Sequence, residues 1–189
     1  MEIITDGSMC INGNAGAATI IRVSKSFLPI KLISYLGKLE SSQAELWSAI
    51  LAFAMLKSLK YSEQITWISD SQTTLNYFSK KLALKNSPKH LEEWRLLDQL
   101  TSELIVCCQH RSGSSKHKDL LACDRASRWA ANLAEQINTK QVMIGKNIIK
   151  DPRYAWQVVN LIDPGSNKIE AEKLEFSQLL SEIKVYRHA

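Results

Sequence analysis

Asp6, Glu45 and Asp70 are carboxylates at places where a chain rarely needs one. Asp6 leaves a short β-rich run, Asp70 leaves a second, and Glu45 falls in the first turn of an otherwise apolar helix. If these ends converge they form an anionic pocket, where buried carboxylates raise one another's pKa unless a cation neutralises them. Carboxylate oxygens favour hard ions, so the metal expected is Mg²⁺ or Mn²⁺ ahead of zinc. Each acid taken alone also has an ordinary role. Ser42-x-x-Glu45 fits a capping box, Asp6-Gly7 and Asp70-Ser71 fit turns or helix caps, and Asp124 fits an ion pair with Arg128 one helical turn on. The joint pattern is what favours a cation site.

Positioning such residues requires a defined order of elements. Glu2 to Thr5 reads as a short strand ending at Asp6, and Ala15 to Val23, after the Asn12-Gly13 turn signal, reads as its antiparallel partner. Lys31 to Lys38 makes a third strand. From Ser42 to Lys60 the residues Leu46, Ala49, Ile50, Phe53 and Leu56 form a broad apolar stripe at helix period. Ile65 to Ser69 is β-branched and aromatic and delivers Asp70, and a helix through Leu75, Phe78 and Leu82 follows. Pro88 opens a helix from His90 to Glu103, Leu104 to Gln109 is a further strand, and a loop from His110 to Lys118 leads into a helix from Asp119 to Ile137. The order is βββαβααβα, with a parallel crossover at the fourth strand. Beyond it, Trp156 to Ile162 reads as a strand, Asp163-Pro164-Gly165 as a turn, and Phe176, Leu179, Leu180 and Ile183 as a final helix.

The acids, their order and this topology resemble the type I ribonuclease H family. The matching pieces are Thr5-Asp6-Gly7-Ser8, Ser42-Gln43-Ala44-Glu45-Leu46, Ser69-Asp70-Ser71-Gln72 and His110 through Cys123-Asp124. The resemblance covers about residues 1–138 and implies an α/β ribonuclease H-like fold: a five-stranded mixed sheet, three antiparallel strands then parallel ones, flanked by helices. Residues 139–189 would be a C-terminal α/β extension of unknown role. It further implies that Asp6, Glu45, Asp70 and Asp124 hold two Mg²⁺ or Mn²⁺ ions, one activating the attacking water and one stabilising the leaving oxygen. His110 would assist from its loop by moving a proton, with His117 as competitor for that role. Leu120 stands where the family usually has Asn. The implied reaction is endonucleolytic hydrolysis of the RNA strand of RNA/DNA hybrids, leaving a 3′ hydroxyl and a 5′ phosphate. By the same resemblance Gly7, Ser8, Ser41, Ser42 and Gln72 would meet the RNA strand through its 2′-hydroxyls. Lys80, Lys81, Lys85 and Lys89 carry four positive charges without an acid and would track phosphates or simply be solvated.

Composition is compatible with this reading. The 189 residues are 45% hydrophobic and 23% charged, enough apolar material for a core, which excludes a disordered tail or a fibrous repeat. The net charge of +5 suits a polyanionic partner. The longest apolar run, Ala49 to Leu56, is far short of the roughly 20 residues that span a bilayer. Met-Glu-Ile-Ile-Thr-Asp lacks the opening of a secretory signal, so a cytoplasmic protein, monomeric by default, is expected. The start at the first strand favours a free-standing enzyme over a domain of a reverse transcriptase. Cys10, Cys107, Cys108 and Cys123 form no CxxC pair, and Cys107, Cys108 and His110 lack a fourth ligand for zinc. Trp47, Trp67 and Trp129 are expected to pack in the core. Two other classes keep the same fold: a nucleic-acid-binding module without activity, and a related nuclease acting on DNA.

Overall fold

The computed structural model describes residues 1–23, 29–80, 89–112, 117–136, 149–151 and 154–158. Outside them lie Lys81, Lys85, Leu82, Pro88, most of the loop after His110, the end of the strand expected to reach Ile162, the Asp163-Pro164-Gly165 turn and the final helix through Phe176, Leu179, Leu180 and Ile183. The elements in chain order are β1 (Glu2–Met9), β2 (Asn14–Arg22), β3 (Ile30–Lys38), α1 (Ser41–Ser58), β4 (Ile65–Ser69), α2 (Gln72–Ser79), α3 (Leu91–Thr101), β5 (Val106–His110), α4 (Lys118–Gln136), β6 (Ile149–Asp151) and β7 (Tyr154–Val158). Through α4 this is the βββαβααβα order read from the sequence.

Strands β1 to β5 form the expected mixed sheet, within the order β5-β4-β1-β2-β3-β7-β6. β2 runs antiparallel to β1 and β3, whereas β4 lies parallel to β1 and β5 parallel to β4. The short hairpin of β6 and β7 extends the sheet past β3, with β7 parallel to it at Leu32 and Ile33.

β1 runs four residues beyond its expected end at Thr5, because β2 pairs with it as far as Met9. Asp6 is therefore inside a strand, opposite Ala18, and not at its exit. The hairpin closes at the Asn12-Gly13 signal, where Gly13 adopts a φ of 83° and the Asn14 N–H donates to Asn12 Oδ1 at 3.0 Å. On the other side of β1, pairing with β4 stops at Ile4 and Ile68. Asp6 and Asp70 lie two residues beyond that pair on each strand, so neighbouring parallel strands open at the two acids.

Alternation along the strands sorts the core into two. Ile3, Ala17, Ile21 and Trp67 face α1, α2 and α3, and Ile4, Ala18, Ile20 and Ile68 face α4. α1 is buried on almost every side from Ala44 to Leu56, a wider apolar surface than the expected stripe, because it lies between the sheet and α3. Phe53 meets Trp67 edge-on at 5.5 Å between ring centroids, and Phe78 packs against both. The Trp67 indole N–H donates to Thr5 Oγ1 at 2.9 Å, which ties β4 to β1 next to Asp6. Trp47 and Trp67 are core residues as expected, but Trp129 is 38% exposed on the outer side of α4. The inner side of that helix carries Cys123, Ala126 and Ala130, small enough to sit close on the sheet.

Candidate active site

Asp6, Glu45 and Asp70 come from three elements and meet: one carboxylate oxygen of each lies within 4.8 Å of the others. Asp6 and Ile4 share the strand face toward α4, where the Ser127 hydroxyl donates to Asp6 Oδ2. Glu45 belongs to α1, on the opposite face of the sheet. The two acids reach one another because Gly7 separates them. A Cβ at Gly7 would lie 2.2 Å from the Ala44 carbonyl carbon and from the Glu45 nitrogen, so the first turn of α1 rests directly on the β1 backbone. The Gly7 N–H donates to the Glu45 carboxylate.

This geometry displaces the capping box. α1 starts at Ser41 with Glu40 as its N-cap residue and no side-chain cap bond. The Ser42 hydroxyl lies 3.3 Å from His90 Nε2, and Glu45 turns into the acidic cluster. One oxygen, Glu45 Oε2, is buried with no hydrogen-bond partner. An orphaned carboxylate oxygen of this kind is costly in a folded core.

The electrostatics agree. Burial, then the charges of Asp6 and Asp70, pushes Glu45 well above the usual carboxylate range. Burial raises Asp6 to about 7 despite the Ser127 hydrogen bond, with Asp70 and Asp124 adding repulsion. Asp70 is also raised, first by burial and then by Asp124, while His110 and Arg128 pull it down. An all-oxygen donor set, mutually repelling and with one oxygen unpaired, fits a hard divalent cation.

Asp124 is near enough to influence all three acids but its carboxylate is held elsewhere. Oδ1 pairs with Arg128 Nη2 at 2.8 Å, the i,i+4 bridge that its sequence context allowed. His110 ends β5 beside Ser69 of β4, and its Nε2 lies 3.2 Å from the Asp70 carbonyl oxygen. His117 instead serves the start of α4, where its Nδ1 accepts the Leu120 N–H at 3.3 Å. Cys107 is exposed and takes a hydrogen bond from Gln64.

Around the acids, Ser8 is partly exposed, while Ser41, Ser42 and Gln72 are exposed at the starts of α1 and α2. Gln72 Nε2 donates to Asn76 Oδ1 at 3.0 Å. Gly7 is buried under α1. Lys80 is exposed, and Lys89 pairs with Glu40 at 3.5 Å. Two contributors escaped the sequence reading. Ser127, the hydrogen-bond donor to Asp6, follows Asp124 by three positions on the same helix face and could have been found by that spacing. Gly16 matters by being bare: a Cβ there would lie 2.3 Å from the Ser127 carbonyl oxygen of α4. Nothing in its local sequence announces this.

No family model and no curated protein matches the sequence. Solved structures match the fold. RNase H1 from the halophilic archaeon Halobacterium salinarum NRC-1 is 16% identical with a TM-score of 0.55, covering 69% of this chain and 96% of that one. The chain has the ribonuclease H fold. LC11-RNase H1, isolated from compost and solved with an RNA/DNA hybrid, is 19% identical with a TM-score of 0.56, over 71% of this chain and 98% of that one. The foamy viral protease-reverse transcriptase, also with an RNA/DNA hybrid, is 14% identical with a TM-score of 0.55, over 70% of this chain and 20% of that one. Within the ribonuclease H fold, Asp6 and Asp70 lie just past the point where the parallel pairing of β1 with β4 ends, the side of the sheet on which open α/β folds place their ligands. Among the described residues no helix is long and apolar enough to cross a membrane.

Proposed function

We propose that this protein is a divalent-metal-dependent endoribonuclease that hydrolyses the RNA strand of RNA/DNA hybrids. The observation that carries the proposal is the convergence of Asp6, Glu45 and Asp70 with Glu45 Oε2 buried and unpaired. Two structurally similar proteins were solved with RNA/DNA hybrids, which supports that substrate, and the viral one was also solved with double-stranded DNA, which is why DNA cleavage is an arm of the test.

Asp6, Glu45 and Asp70 would hold Mg²⁺ or Mn²⁺, with Asp124 completing a second position. When bound, the ions supply Lewis acidity to the scissile phosphate and to water. The remaining work falls to the chain. Gly7 fixes Glu45 through its N–H and by the close approach it permits. Ser127 orients Asp6 by donating to one oxygen, leaving the other free to ligate. His110, exposed at the end of β5 beside Asp70, would carry a proton between the reacting phosphate and solvent. Ser8, Ser41, Ser42 and Gln72, solvent-accessible on the elements that carry or adjoin the acids, would contact the RNA strand, and Lys80 and Lys89 would contribute charge toward phosphates. No side chain is required to form a covalent intermediate.

The test is cleavage of labelled RNA/DNA hybrid, double-stranded RNA and double-stranded DNA with Mg²⁺, Mn²⁺ or EDTA, for wild type and Asp70→Asn. The expected result is metal-dependent cutting of the hybrid alone, lost in the variant. Hybrid cutting that survives in Asp70→Asn or in EDTA refutes the site. Tight binding without cutting indicates a module lacking activity, and equal cutting of DNA indicates a deoxyribonuclease.

A further inference from the structure

Asp124 and Arg128 are joined at the rim of the acidic cluster, their side chains 36% and 67% exposed. A solvent-exposed i,i+4 pair is held weakly and is screened by salt, so it can be released by a competitor of higher charge. The guanidinium acts on more than its partner. Asp6 and Asp70, both raised chiefly by burial, are both drawn back down by Arg128. One arginine thus lends positive charge to three of the four acids.

We propose that Arg128 is a built-in cation that competes with a divalent ion for Asp124 and so sets the metal concentration at which the second position fills. The proposal rests on the metal-binding reading above and deepens it. The guanidinium holds Asp124 Oδ1, partly offsets its charge, and Asp124 stands outside the Asp6, Glu45 and Asp70 grouping. To ligate, Asp124 must turn Oδ1 away from Arg128 or offer Oδ2 beside it, and in both cases the guanidinium charge opposes the incoming ion. Arg128 is accordingly a positioning residue, acting through Asp124.

Calorimetric titration of the full chain with MnCl₂ at low ionic strength tests this directly, with wild type, Arg128→Gln, Arg128→Lys, Asp124→Asn and the Asp124→Asn/Arg128→Gln double variant. Arg128 is well exposed, so its variants are expected to fold. The expected result is two binding steps in wild type, the weaker one tightened on the order of fivefold in Arg128→Gln, as loss of one nearby charge dictates. Lysine at the position restores the wild-type value, and the gain shrinks in high salt. Asp124→Asn removes the weaker step, and adding Arg128→Gln to it does not bring that step back. A weaker step left unchanged or loosened in Arg128→Gln, with wild type still binding Mn²⁺, overturns the role of Arg128 alone. Failure of wild type to bind any Mn²⁺ overturns the metal reading together with this one.

Discussion

Asp6→Asn should make the metal-free protein more stable while abolishing its activity. The Asp6 carboxyl ionises near pH 7 in the fold, against 3.8 as its ordinary value. Between these two pH values the folded chain keeps a proton that the unfolded chain has lost, so stability falls as pH rises through the window. Fully ionised at pH 8, Asp6 costs the metal-free fold about 4 kcal/mol, shrinking to about 0.5 kcal/mol at pH 4. Asparagine carries no charge to bury, and its carbonyl oxygen can still accept from Ser127. Thermal denaturation in EDTA at pH 8 should therefore place the variant's Tm above wild type by up to about 10 °C, with the two converging near pH 4. Adding Mn²⁺ should raise the Tm of wild type by mass action and leave the variant nearly unmoved. A variant less stable than wild type at pH 8 without metal, or a gap independent of pH, would refute the reasoning.

Two further outcomes are expected. Gly7→Ala should destabilise the fold by about 3 kcal/mol in urea denaturation and lower hybrid cleavage at least tenfold, because the new methyl meets the Ala44 and Glu45 backbone and α1 must shift. Asp119→Asn should cost about 2 kcal/mol at pH 7, since Asp119 accepts two hydrogen bonds from Arg22, including one from Nη2 at 2.8 Å. That hydrogen bonding, ahead of the opposing effect of burial, holds Asp119 below its ordinary pKa. Its contribution is present above about pH 4 and fades as pH falls through the lowered value, so urea midpoints of variant and wild type should approach one another in acid.

Much of this architecture was legible because each element carried a local signal. β4 was bounded to the residue, Ile65 to Ser69, by its β-branched and aromatic run, and α1 and α4 fell within two residues of expectation at each end. The end of β1 differs from the sequence expectation because Asp6-Gly7-Ser8 looks like a turn, and only pairing with β2 carries the strand on to Met9. Glu45 shows the same limit. Its spacing from Ser42 satisfies a capping box locally, and what diverts it is the approach of β1, a contact between residues far apart in sequence. Trp129 departs from its expected place in the core because a tryptophan's apolar character does not tell which side of a helix faces solvent. The pairing of Asp124 with Arg128 was visible as a spacing, but whether the acid would instead join the other three depended on tertiary geometry.

Gly7 and Gly16 seat the two helices that carry Glu45 and Asp124, one on each face of the sheet, main chain against main chain. The distances of Glu45 and Asp124 from the sheet are consequently set by peptide planes, with side-chain contacts such as Ser127 to Asp6 adding the finer aim. A side chain at either position would lift a helix off the sheet and carry its acid with it, so the pocket depends on those two positions staying bare.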